Sequence, residues 1–484
     1  MDQRALFRPA TGWVGDVIPF ERDGEFWLYF LHEERDAPER GTGWSLVKTR
    51  DFVRFEDAGV ALPPGGPDDL DFNAYTGSVV EAEGVAHLFY TGQNPRRVGP
   101  DGCTPLQVVM HATSHDDMTT WTREPTLALG ATPGYEFGDW RDPFVFRPSG
   151  SEPWRMLITA RHDNGPERRR GVIAQCISDD LLTWKPIEPF WDPRRYIAHE
   201  CPDVFQWGDW WYLVYSEFSE KFATRYRVSR SPDGPWSVPD RDTVDGRAFY
   251  AAKTVARGGR RFFVGWIATK EDESDDGAWQ WAGDMSVLEA HQESDGALGF
   301  SIPQEIEASF SCVSELSFAG SPEPDGQDGS KLRLSVADGY AVALTDYEPS
   351  TQFLARIDVD IEENTTEVGI LIRSSSDGDR SYCLRLEPKL QRMVFDRWPR
   401  KSTGTMQWQV SGDVAHSVEL ERSCVIDPGP HQLDLLVEDS VCIAVLDKSV
   451  VLTARIYDGS SGHLGIFVGE GSATFSNMTM ATRT

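Results

Sequence analysis

The chain is 484 residues long, 40% hydrophobic and 11% aromatic, with a formal charge of −30. That length predicts two or three domains, and the apolar content excludes a disordered chain. The acidity excludes a nucleic-acid partner, which needs a basic face against phosphates, and an anionic membrane surface.

No apolar run reaches the roughly 18–20 residues that span a bilayer, and the opening Met1-Asp-Gln-Arg-Ala-Leu-Phe7 has no apolar signal core. A cytoplasmic location is the expectation. The seven cysteines are an odd number with no Cys-x-x-Cys pair. They read as reduced, packed side chains, so neither a disulfide frame, a metal nor a cofactor is expected.

Along the chain, short aromatic-rich strands recur at residues 25–31, 84–90, 154–160, 210–216 and 261–266. A polar turn runs in step with them: Asp51 precedes Phe55, Asp117 precedes Trp121, Asp180 precedes Trp184 and Asp233 precedes Trp236. Two signals sharing one period of about 50–70 residues fit four-stranded blades. Five occurrences predict a five-bladed β-propeller over residues 1–304. Past residue 305 the period stops. Alternating stretches at 353–361, 368–373 and 382–386, separated by Gly, Ser and Asp, predict a β-sandwich over 305–484. The fold class is all-β. The Gly- and Pro-rich stretch 320–329 reads as a surface loop near the boundary.

In a propeller the innermost strand of each blade lines a central funnel, so it is expected just before each aromatic strand. Those positions hold Trp13-Val-Gly-Asp16, Tyr75-Thr-Gly-Ser78, Trp140-Arg-Asp-Pro143, His199-Glu-Cys-Pro-Asp203 and Phe249-Tyr-Ala-Ala-Lys253. Asp16, Asp142 and Glu200 therefore converge on one axis. Carboxylates gathered there repel and desolvate one another, a cost that proteins carry at sites of chemistry. For one acid alone a solvated strand end is the simpler reading; for three in phase it is not. Two carboxyls with divergent pKa values are the machinery of glycoside hydrolysis. Glu200, beside Cys201, Pro202 and Phe205, is the proton donor, and Asp16, in a Gly-flanked strand, is the nucleophile. Asp142, next to Arg141, stays charged and faces the positive charge that develops on the sugar.

These motifs resemble glycoside hydrolase family 32, the invertases and fructanases, along nearly the whole chain. Trp140-Arg-Asp-Pro143 and Glu200-Cys-Pro-Asp203 look like that family's Arg-Asp-Pro and Glu-Cys motifs. Tyr75-Thr-Gly-Ser78, Phe249-Tyr-Ala-Ala-Lys-Thr254 and Trp279-Gln-Trp281 follow in family order. The resemblance implies a carbohydrate substrate, a fructosyl-enzyme on Asp16, and Asp142 and Glu200 as stabiliser and acid/base. Retention needs the Asp16 and Glu200 carboxyls about 5 Å apart. Candidate sugar contacts are Arg141, Trp44, Ser78, His32, Tyr250 and Trp281. For the Trp residues the alternative is blade packing, for His32 a half-exposed strand end, and for Arg141 charge compensation.

The chain departs from the family around the nucleophile. It has Gly15-Asp-Val-Ile-Pro19 where members carry Asn-Asp-Pro-Asn-Gly, and Leu31 where they carry Gln. The favoured reading is a hydrolase of β-fructofuranosides. Fructosyl transfer, including formation of cyclic difructose, uses the same three acids. An inverting arabinan- or xylan-cleaving propeller and a non-catalytic sugar-binding protein are the other readings.

Overall fold

The hairpins that open three blades turn on Asp23-Gly24, Glu83-Gly84 and Gly258-Gly259, with all six residues at positive φ between 52° and 80°. Two consecutive left-handed residues make the tight turn whose twist matches paired strands, and such a turn fixes their register. Arg22 therefore pairs with Glu25, Ala82 with Val85 and Arg257 with Arg260.

A computed structural model describes residues 3–319, 331–398 and 420–483; the loop predicted at 320–329 lies outside the described residues. The chain divides into two compact units. The first takes in residues through Val244, Phe249–Thr269 and Gln280–Leu298. The second holds Asp245–Ala248, Lys270–Trp279 and the residues from Gly299 onward. A single cut in the sequence at 304/305 misses these two short excursions.

The first unit is the five-bladed propeller. Its innermost strands are Trp13–Arg22, Asn73–Ala82, Tyr135–Phe146, Glu200–Trp207 and Phe249–Arg257. Each pairs antiparallel with an aromatic strand: Glu25–Glu33, Val85–Val98, Trp154–His162, Trp210–Glu217 and Arg260–Lys270. Three blades carry four strands, ending at Phe55–Leu62, Thr122–Gly130 and Lys185–Trp191. The fourth blade has three strands; beyond Ala223–Ser229 the chain makes isolated bridges, Val228–Ser237 and Arg225–Thr243, in place of a fourth. Pro232, Pro235 and Pro239 in that stretch lack the N–H a ladder needs.

The polar turns feed the outer strands by side-chain capping. Asp51 accepts from the amides of Val53 and Arg54, and Asp180 from those of Leu182 and Thr183. In the second blade the capping acid is Asp116, which accepts from Thr120; Asp117 pairs with Arg22 instead. Each turn places a left-handed residue in the core: Phe52, Met118 or Leu181.

Core side chains lie between neighbouring blades. Tyr29, Trp44, Leu88 and Tyr90 form one cluster, and Phe89, Met156, Ile158 and Trp184 the next. Truncating any of these large side chains costs about 3–5 kcal/mol.

The second unit is a β-sandwich whose two layers are hydrogen-bonded through one long strand, His463–Thr482. The first part of that strand, up to Gly469, pairs with Glu367–Ser374, and the part beyond Ala473 with Gln352–Ile361. At Glu470 (φ 47) the strand changes layer. Among the described residues, no helix is long and apolar enough to cross a membrane.

Candidate active site

All five innermost strands carry a register shift at the same level. The shifts fall between Val14 and Val17, Tyr75 and Gly77, Arg141 and Phe144, Glu200 and Asp203, and Tyr250 and Lys253. A bulge sets two residues against one and re-aims a side chain. Within these bulges Asp142, Cys201 and Ala251 have φ of 57°, 51° and 52°. Left-handed backbone is costly for residues with a β-carbon and persists where the surrounding ladder dictates it. The bulges turn Asp16, Thr76, Asp142 and Glu200 toward one cavity of ≈ 390 Å³, whose wall also includes Arg141, Gln107, Tyr75 and Trp281.

Asp16 is held by three donors. Thr76 and the Cys201 thiol (3.6 Å) reach Oδ2, and the Trp266 indole N–H reaches Oδ1 at 2.9 Å. An ionised carboxylate is acceptor-only, so three donors match its charged form. Burial and the Asp142 charge push its pKa up, against these bonds. Asp142 Oδ2 accepts from the Cys201 amide at 3.0 Å and from the Thr159 hydroxyl at 3.2 Å. Cys201 thus acts on the two aspartates rather than on Glu200.

Glu200 accepts from Tyr250 Oη at 2.6 Å and from Arg141 Nη2 at 3.1 Å. Burial, which Arg141 only partly offsets, and the charges of Asp142 and Asp16 push its pKa up to about 7. A carboxyl so placed holds a proton near neutrality. Burial disfavours the Arg141 guanidinium, but Glu200, Asp139 and Asp142 more than compensate and raise its pKa.

The structure separates the six candidate sugar contacts. Arg141 and Trp281 line the cavity, and Trp281 is 39% exposed. Tyr250 is buried and meets Glu200 through its hydroxyl. Trp44 has no exposed surface; it packs between blades and donates to the Tyr75 carbonyl at 3.1 Å, so it is a core residue and no sugar wall. Ser78 is buried and accepts the Val145 amide at 3.0 Å, a contact between adjacent innermost strands. His32 points away from the cavity, donating Nε2–H to the Thr11 carbonyl at 2.6 Å.

Strand alternation explains His32: Leu31 and Glu33 share the cavity face, and the residue between them faces the other way. Counting by two from Leu31 finds Glu33, which motif reading missed. Gly15 is explained by Trp281. A β-carbon there would collide with Cη2 and Cζ2 of the indole, so a bulkier residue and this Trp cannot share the space.

An all-β propeller that brings Asp16, Asp142 and Glu200 into one cavity has the layout of a glycosidase site. Residues 7–296 match the model of the glycosyl hydrolases family 32 N-terminal domain. Among curated relatives, a sucrose-6-phosphate hydrolase of Zymomonas mobilis is 28% identical over 420 residues, covering 80% of this chain and 75% of that one. A raffinose invertase of Escherichia coli is 26% identical, covering 62% and 64%. Among solved structures, fructan 1-exohydrolase IIa of Cichorium intybus superposes with TM-score 0.75 at 16% identity, covering 100% of this chain and 97% of that one. A sucrose-6-phosphate hydrolase of Lactobacillus gasseri gives 0.74 at 18%, covering 100% and 93%. The chain belongs to glycoside hydrolase family 32 and is a hydrolase of its β-fructofuranosidase type.

Proposed function

We propose that the protein is a retaining β-fructofuranosidase acting on short fructosides by double displacement, with Asp16, Glu200 and Asp142 in separate roles. Asp16 attacks the anomeric carbon of the fructosyl unit while Glu200 gives its proton to the leaving oxygen. Water then enters, Glu200 takes its proton back, and the Asp16 ester is hydrolysed. Asp142, fixed by the Cys201 amide, faces the oxocarbenium-like charge of both transition states. Arg141 ties Glu200 to Asp139 and keeps the donor oriented.

The observation that carries this reading is the convergence of Asp16, Asp142 and Glu200 on one cavity, each with its own set of partners. Asp16 takes three donors suited to a carboxylate, while Glu200 is pushed up to about 7. A cytoplasmic setting accompanies the proposal: all seven cysteines are free, five of them buried, as in a reducing compartment. Following sucrose cleavage by NMR tests the reaction. Release of fructose as the β-anomer first, with an adduct on Asp16 trapped by acid quench, is expected; first release of the α-anomer would refute the nucleophile.

A further inference from the structure

The cavity wall holds a fourth carboxyl that the three-acid chemistry leaves unused. Glu33 lies on the same face of its strand as Leu31 and is half-buried. Tyr75 shares the wall, and its phenol is pushed up by burial and then by the Glu33 charge. Four acids therefore line the cavity: Asp16, Glu33, Asp142 and Glu200.

Cations do not balance them. Arg141 is the cation in that wall, and it is engaged by Asp139 and Glu200. Arg35, and after it His32, opposes the burial that raises the Glu33 pKa, but the Arg35 guanidinium is anchored on Gln280, Thr269 and the carbonyls of Trp281 and Ala282. Lys253, beneath the site, is 2% exposed and donates to the carbonyls of Gly77 and Pro202. An entering ligand meets carboxyls and hydroxyl-binding groups, and Arg141, Arg35 and Lys253 are each already engaged by groups of the protein.

A phosphate monoester carries about −1.5 to −2 at pH 7. Like charges brought face to face suppress a wrong partner, and specific sites use such repulsion alongside favourable contacts. We propose that Glu33 is a specificity-determining residue that restricts this cavity to neutral fructosides and excludes those whose leaving sugar bears a phosphate. The inference rests on the β-fructofuranosidase reading and deepens it. The neutral sugar instead gains from the same group, because a hydroxyl donates to the Glu33 carboxylate.

The test compares sucrose with sucrose 6-phosphate on wild type and Glu33→Gln, at low and high salt, with calorimetry of both sugars on Asp16→Asn. Wild type is expected to favour sucrose in kcat/KM by about 100-fold. Glu33→Gln is expected to narrow that ratio about tenfold, through KM for the phosphorylated sugar. Added salt is expected to narrow it in wild type more than in Glu33→Gln, which a merely structural role would not produce. Equal or better turnover of sucrose 6-phosphate by wild type overturns the inference and leaves the hydrolase reading standing. An unchanged ratio in Glu33→Gln also overturns the assignment to Glu33. If neither sugar is cleaved, the hydrolase reading falls, and calorimetry still decides selectivity. Binding of sucrose alone to Asp16→Asn supports the inference; binding of the phosphorylated sugar as tightly, or of neither, overturns it.

Discussion

Glu200 and Asp16 share one cavity yet are held by different partners: Tyr250 and Arg141 reach Glu200, while Thr76, Cys201 and Trp266 reach Asp16. Because Glu200 is pushed up to about 7 and acts as an acid, kcat/KM is expected to fall as pH rises through about 7. The Tyr250 hydroxyl donates to Glu200 and favours its ionised form. Tyr250→Phe should therefore move the alkaline limb upward, by about half to one pH unit. A pH–rate profile checks this, and a limb that stays or moves down would show that Tyr250 does not set the donor's proton. Gly15 is a second residue with a sharp consequence. Gly15→Ala puts a methyl where the Trp281 indole lies. Displacing that wall is expected to raise KM for sucrose about tenfold with a smaller change in kcat, the pattern left by losing a contact made equally in ground and transition state.

At the level of the strand, the site is a product of bulges. Tyr75-Thr76-Gly77 shows how tightly this is built: a β-carbon on Gly77 would collide with the Phe89 carbonyl across the pair. Gly77 also gives its own carbonyl to Lys253. Gly77→Ala is expected to lower stability by about 2–4 kcal/mol and to cut turnover, because Thr76 moves away from Asp16. Thermal denaturation and kinetics on the same sample check both; a variant with wild-type melting and rate would show that the strand tolerates the shift. These bulges also mark where sequence reading stops. The aromatic strands are legible because apolar runs and turn residues are local: residues 154–160 lie within Trp154–His162, and 210–216 within Trp210–Glu217. The meeting of Asp16, Asp142 and Glu200 in one cavity is legible because they sit in phase with the blades. The facing of single side chains is not, since one extra residue in a strand exchanges its faces. Ser78, just past the bulge at Tyr75–Gly77, and the fully buried Trp44 face the blades instead; Thr76 and Trp266, which hold Asp16, lie in a motif and an aromatic strand that do not mark them as its partners.

For the whole molecule, the site and the core pull stability in opposite directions with pH. His111 and His199 are buried, and burial lowers both to about 3. Their neutral forms contribute stability that is complete above about 6.5 and is lost as pH falls, by about 1.4 kcal/mol per pH unit for each. Glu200 has the reverse sign. Its folded value of about 7 lies above the ordinary 4.5 of a free Glu, so below 4.5 it is protonated in both states and costs nothing. As pH rises through about 7 the folded protein must ionise a buried carboxyl, and up to about 3 kcal/mol is forfeited. Glu200→Gln keeps an oxygen for Tyr250 and Arg141 but removes that ionisation. Its melting temperature is therefore expected to exceed wild type by about 2–4 °C at pH 8 and to match it at pH 4.5, while turnover drops by about 10²–10⁴. Calorimetric melts of both proteins at the two pH values decide the matter. A variant less stable at pH 8 would mean that the Arg141 ion pair outweighs burial, and that Glu200 does not hold its proton in the way its role as acid requires.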